Sequence, residues 1–335
     1  MMSRASIIVR VDGNAQCGFG HLSRCVNLCK NAILAGEYNP KDFLFAGCYG
    51  DFAKSLLTTH KFKFIDTPDI EQEARDCHIP SSKAKTVILD SYFLTQDLLN
   101  TYSNTYNNTI IIDDTCELNY QSIDLAINLR VNAESLFSYN AKNTALGLDY
   151  FLTKPELHGI RTKNLSRIDL PVNKVLLFMG GGFDDCGKTI QIISHIQASA
   201  PTASVYCVTS QTKKLSPLEN VTFLQPRPDI ESLLDDCDVC INGGGLIKYE
   251  VAYCCIPTAS FSTTKLQDED SQLLSEAGVI MNLGLNESTD DLYLANKIDA
   301  ILNTSSIRQN LIDSCRQQFS SGSVARIIKK IESVV

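Results

Sequence analysis

Two stretches of this chain carry one local pattern, and that pattern admits few folds. Ile7-Ile8-Val9 is a short apolar run, followed by Arg10, Val11 and Asp12, a loop, and then Gly18-Phe19-Gly20-His21. Leu22, Cys25, Val26, Leu28 and Cys29 follow at helical spacing. The pattern restarts at Val175-Leu176-Leu177-Phe178-Met179, with Gly180-Gly181-Gly182 as the turn and a helix over 184–198. Strand, glycine turn and helix open a Rossmann-like unit, in which backbone N–H groups reach a ligand at the carboxyl ends of the strands.

Between these openings the chain alternates in the same way. Residues 42–47, 62–66, 86–90, 109–114 and 124–128 read as strands, several ending in acids. The segment 147–170 has mixed polarity and reads as a connector. Residues 205–208, 221–224, 239–242 and 257–261 are further strands, with helices over 230–235 and 247–254. Residues 268–272 read as an acidic loop, and 291–335 as a helical tail broken near Ser320-Ser321-Gly322. The reading is an α/β chain with an N-terminal Rossmann-like domain over 1–165 and a C-terminal one over 166–335. Two such domains facing across a cleft make the GT-B arrangement, here with a C-terminal helical tail.

Composition narrows the function classes. At 335 residues the length prior is two domains, and an apolar fraction of 44% with 20% charged residues is that of an ordinary globular protein. A net charge of −8 without a Lys/Arg cluster argues against nucleic-acid binding. No apolar run approaches the ~20 residues of a membrane span. The start Met1-Met2-Ser3-Arg4 lacks a signal-peptide pattern, so a cytoplasmic location is expected. Of thirteen cysteines, Cys25, Cys29, Cys207, Cys240 and Cys254 fall within apolar segments, where free thiols act as small core residues. No metal and no cofactor are expected, and a monomer is the expected state.

The candidate chemistry starts at His21. A histidine in the first turn of a helix sits at the positive end of the macrodipole, which disfavours imidazolium, so it is a candidate general base. The plain alternative is a cap or a packed ring. Arg24 shares its helix face, while Arg10 and Asp12 end the preceding strand and Asp90 and Tyr92 end another. All are expected in one crevice. Asp113-Asp114 read equally as contributors or as capping groups, and His60, His78, His158 and His195 as surface or packing residues. In the second half, Gly243-Gly244-Gly245-Leu246 leads into a helix carrying Glu250. Such a turn admits a diphosphate to the backbone, and the carboxylate can accept ribose hydroxyls. Gly180 and Gly181 with Asp184 form a second loop of this kind. For both loops the alternative is an ordinary tight turn.

The stretches Arg10-Val11-Asp12, Gly18-Phe19-Gly20-His21 with Arg24, Leu89-Asp90-Ser91-Tyr92 and Ile112-Asp113-Asp114 resemble the pseudaminic-acid pathway hydrolases that release UDP from UDP-2,4-diacetamido-2,4,6-trideoxy-β-L-altrose. That family is related to MurG-type GT-B glycosyltransferases. The likeness continues through residues 146–150, Met179-Gly180-Gly181 with Asp184, 243–257 including Glu250, and Glu276-Ala277-Gly278. It implies that His21 activates water, that Tyr92 lies near the sugar, and that residues 244–250 hold UDP. The chain departs from it at Gly245-Leu246-Ile247, where the family carries Ser-Thr, at Lys265-Leu266-Gln267, where it carries an asparagine, and at Lys154, where it carries an arginine.

The expected function is therefore hydrolysis of a UDP-sugar with inversion at the anomeric carbon. His21, Asp12 and Tyr92 are the expected catalytic residues; Arg10, Gly20, Arg24, Asp90 and Gln267 are expected at the sugar. A GT-B glycosyltransferase using the same base on an acceptor hydroxyl, and a non-catalytic nucleotide-sugar-binding protein, are the alternatives.

Overall fold

The computed structural model describes residues 7–14, 16–76, 84–168, 170–179, 186–227, 229–320 and 322–335. The chain divides into two compact units. The first runs to Pro155 and takes in Ser320–Val335; the second is Glu156–Phe319. The division falls ten residues before the expected 165, because the supposed connector folds into a helix of the second unit. The last helix belongs with the first unit.

The first unit holds β1 (Ile7–Val11), α1 (Gly20–Leu34), β2 (Phe43–Gly47), α2 (Asp51–Thr59), β3 (Lys63–Asp66), α3 (Ile70–Asp76), β4 (Thr86–Asp90), α4 (Gln96–Thr105), β5 (Asn108–Ile112), β6 (Leu125–Asn128), α5 (Ala133–Leu136) and β7 (Thr144–Leu146). Its strands form a parallel sheet in the order β3-β2-β1-β4-β5-β6-β7. β7, which the sequence reading missed, is only three residues long and adds to the edge of β6. β1 and β4 are buried throughout, as strands covered on both faces must be. Val11 stands opposite Asp90 in the register of these neighbours. The order reverses between β1 and β4, where open α/β sheets present ligand crevices.

The second unit opens with α6 (Leu157–Asn164), within the expected connector, followed by β8 (Lys174–Phe178), α7 (Cys186–Ser199), β9 (Ser204–Val208), β10 (Val221–Leu224), α8 (Glu231–Leu234), β11 (Val239–Gly243), α9 (Ile247–Tyr253), β12 (Thr258–Ser262), α10 (Lys265–Glu276), β13 (Met281–Leu285), α11 (Asp291–Asn303) and α12 (Ser305–Gln318). Its parallel sheet runs β10-β9-β8-β11-β12-β13. α6 is fixed to this unit by Arg161, which donates to the carbonyls of Tyr253, at 2.6 Å, and Phe319. The guanidinium also lies over the Tyr253 ring. The expected acidic loop at 268–272 is part of α10, whose N-cap Thr264 accepts from Gln267 N. α13 (Ser323–Glu332) buries Ile327, Ile328 and Ile331, and Arg326 ties it to the carbonyl of Asp149.

Cys237 and Cys240 stand at C-x-x-C spacing, which corrects the reading that the chain has no such pair. Both are free and buried. Cys237 Sγ donates to the carbonyl of Val239, and Cys240 accepts from Asn242. Among the described residues no group of three or more His, Cys, Asp or Glu side chains is arranged around a metal position.

Candidate active site

Asn14 shapes the loop that delivers His21. Its side-chain oxygen accepts from Gln16 N and Cys17 N, and its carbonyl from Gly18 N. Gly18 then takes a φ of +76°, which a side chain would oppose, and the chain enters α1 at Gly20. His21 and Arg24, one turn apart, therefore project from the first turns of α1 toward the carboxyl ends of β4 and β5.

The carboxylate of Asp90, the last residue of β4, is fully buried beneath them. His21 Nδ1 lies 2.6 Å from Asp90 Oδ1. Arg24 meets Asp90 as a fork, Nε to Oδ2 and Nη2 to Oδ1, each 2.6 Å. Its third arm, Nη1, donates to Asp114 Oδ2 at 2.7 Å. Tyr92 Oη donates to the same Asp114 oxygen at 2.9 Å, and its ring packs edge-on to His21 at 4.5 Å between centroids. Cys25 Sγ closes the cluster, 3.4 Å from Asp90 Oδ2.

Burial and neighbouring charge set the direction of these hydrogen bonds. Burial pushes the Asp90 carboxyl up, but Arg24, then His21, outweigh it and hold the carboxyl far below the ordinary range. An ionised carboxylate only accepts, so His21 Nδ1 is the donor. Arg24 Nη2, 3.2 Å from that nitrogen, gives its hydrogen to Asp90 Oδ1 instead. In its neutral form the imidazole then carries its lone pair on Nε2. Burial and the Asp114 carboxylate push the Tyr92 phenol far up, so it stays a donor. Such an arrangement can serve a general base oriented by a buried acid.

The structure does not bring Arg10 and Asp12 to His21. Arg10 is fully buried, with Nε shared between the Glu73 oxygens at 3.0 and 2.9 Å and Nη1 on Asp12 Oδ1 at 2.6 Å. Asp12 also accepts from Cys48 N and Ile70 N, and Tyr102 Oη caps Glu73. These strand-end charges neutralise one another and fasten β1 to β2, α3 and α4. Arg10 and Asp12, two residues apart, share one face at the end of β1, because successive residues of a strand point to opposite faces. Asp113 and Asp114 separate for the same reason. Asp113 accepts from Cys116 N, Tyr120 Oη and Tyr139 Oη, while Asp114 accepts from Arg24.

In the second unit, β11 ends at Gly243 and the turn leads into α9. Gly244 has no room for a side chain: a Cβ would stand 2.7 Å from Ser262 Oγ and 2.9 Å from Gln267 Cβ. Gly245 faces open space. Leu246 precedes α9, and Glu250 is buried on it. Gln267 Oε1 accepts from Thr263 N and Oγ1, bracing the start of α10. Lys248, a buried residue that the sequence reading did not single out, bonds the Gln267 carbonyl, Ser271 Oγ and Asp270. Gly180, Gly181 and Asp184 lie outside the described residues.

No family model matches the chain. A curated protein of Methanocaldococcus jannaschii, described as uncharacterized, is 19% identical over 279 residues, which cover 78% of this chain and 57% of that protein. The chain thus spans little more than half the length of the curated relative. Among solved structures, MurG of Acinetobacter baumannii matches with a TM-score of 0.66 at 11% identity, covering 98% of this chain and 100% of that one. LpCGTa, solved in complex with UDP, matches at 0.69 and 10%, covering 98% and 99%. The fold is GT-B. A UDP-N-acetylglucosamine 2-epimerase of Listeria monocytogenes, described as putative, shares it at 0.65 and 11% identity, covering 99% and 96%. No helix among the described residues is long and apolar enough to cross a membrane.

Proposed function

We propose that this GT-B chain is an enzyme acting on a UDP-sugar, in which His21 deprotonates an acceptor hydroxyl that attacks the anomeric carbon. The observation carrying the reading is the His21–Asp90 pair at 2.6 Å, which leaves Nε2 as the accepting nitrogen. As the acceptor O–H proton passes to Nε2, the oxygen bonds to the anomeric carbon. The carbon–oxygen bond to UDP breaks with its electron pair on the departing phosphate, and the centre inverts. Asp90 stabilises the imidazolium formed. In the second unit the turn at Gly243, Gly244 and Gly245 would admit the diphosphate to the backbone, and Glu250 would take the ribose hydroxyls. The UDP held by one GT-B neighbour, and the glycosyltransferase names of others, support a nucleotide-sugar substrate and transfer to an acceptor.

A second reading has water as the acceptor. Its support is the opening motif, residues 10–12 and 18–21 with Arg24, which resembles the hydrolases of the pseudaminic-acid pathway. Both readings require the same base. The protein would be incubated with UDP-sugars, with and without acceptor alcohols, and followed by ¹H and ³¹P NMR. UDP release confined to samples containing an alcohol is the outcome expected of transfer. Release in buffer alone, with an inverted reducing sugar, establishes the water reading. Parental turnover by His21→Gln removes the base from the mechanism, and failure to bind UDP overturns the proposal.

A further inference from the structure

We infer that Asp114 is a positioning residue for the base, acting on His21 through Arg24 and Tyr92. The inference rests on His21 being the base of the proposed reaction, and it concerns a residue the sequence reading left as an alternative cap.

Asp114 stands two residues past the end of β5 and takes two donors on one oxygen, Arg24 Nη1 and Tyr92 Oη. Each donor reaches His21 by a different route. Arg24 grips Asp90, the carboxylate that orients Nδ1, and a guanidinium is a rigid plane. Fixing Nη1 therefore fixes the angle at which Nε and Nη2 meet Asp90. Tyr92 begins on the loop after β4, and its ring leans on His21; Asp114 anchors the far end of that side chain. One carboxylate thus sets both the partner beneath the imidazole and the ring beside it.

Charge gives the contact a second consequence. With His21 neutral, the side-chain ion pairs set one cation, Arg24, against two carboxylates, Asp90 and Asp114, while Arg130 donates to the Asp114 carbonyl at 3.1 Å. The proton taken by His21 balances these ion pairs. Tyr92 and Cys25, which also face the cluster, stay neutral, because burial foremost, then Asp114 for Tyr92 and Asp90 for Cys25, push both up. Removing the Asp114 charge leaves Asp90 to balance Arg24 alone, so the imidazolium has no compensating carboxylate and the charged product of proton transfer is disfavoured.

The test compares Asp114→Asn, Asp114→Glu and Tyr92→Phe, with Asp113→Asn as a control for structural damage. In Asp114→Asn, kcat falls roughly 10–100-fold, less than the loss of a general base itself would cost, with KM for the nucleotide sugar unchanged. The acidic limb of the kcat profile moves to lower pH. Asp114→Glu recovers part of the rate, and Tyr92→Phe lowers the rate while leaving the limb in place. Independently of turnover, the nuclear Overhauser contact between the His21 and Tyr92 rings disappears in Asp114→Asn and persists in Asp113→Asn. An unchanged rate, limb and ring contact in Asp114→Asn overturns the inference even if His21→Gln is inactive. An active His21→Gln overturns the base itself. Should Asp114→Asn not fold, the charge-conserving Asp114→Glu and the Tyr92→Phe ring contact decide the matter.

Discussion

His21 Nδ1 and Asp90 Oδ1 lie 2.6 Å apart, and the same carboxylate is forked by Arg24, so the imidazole has one orientation and one tautomer. Asp90→Asn would replace an acceptor-only group with one that also donates, inviting the proton onto Nε2 and removing the base. The expected loss in kcat is about 10²–10⁴-fold, with UDP affinity unaltered. Steady-state release of UDP alongside calorimetric titration with UDP checks both halves.

Asp90 also predicts a pH dependence of stability. Its folded carboxyl is depressed: burial would raise it, but Arg24 and His21 more than reverse this. The stability it contributes is therefore fully present above the unfolded carboxyl's range, about pH 4, and is lost as the pH falls below that toward the folded value. Urea unfolding of the parent should weaken steadily below about pH 4. In Asp90→Asn the curve should be flatter over that window.

Arg10 tests the separation of the two charge networks. Its guanidinium holds Asp12 and Glu73, both buried. Arg10→Met leaves two buried carboxylates without their cation, a loss of about 3–5 kcal/mol by denaturant titration. The ¹⁵N signature of the His21 tautomer should not change in the folded variant. A changed tautomer would mean that Arg10 belongs to the site after all.

The glycine turn of the second unit yields a paired comparison. Gly244→Ala places a methyl against Ser262 and Gln267, with an overpacking cost of roughly 1–3 kcal/mol, and should weaken UDP binding. Gly245→Ala points into open space and should leave the melting temperature unchanged. Glu250→Gln should raise the Kd for UDP about tenfold with little change for the diphosphate alone. Equal loss for both ligands would remove Glu250 from the ribose.

Period and punctuation made the strands at 7–11, 86–90 and 108–112 legible, because apolar runs of strand length ending in acids fit few environments other than a covered parallel sheet. The approach of His21, Arg24, Asp90 and Tyr92 also followed, since helix spacing and strand-end position fix it. Short or polar elements were not legible. β7 is three residues long, and α10 carries so many acids that it read as a loop. The ownership of α6 and α13 depends on contacts from residues far away in the chain. So does the allegiance of side chains at strand ends, where a single residue's step turns Asp113 to Tyr120 and Tyr139 and Asp114 to Arg24 and Tyr92. Residue order alone was enough for a double α/β chain and a histidine at a glycine-led helix start. It took the folded packing to assign Arg10 and Asp12 to the scaffold and Asp114 to Arg24 beside His21, because a buried charge is claimed by whichever opposite charge comes within reach.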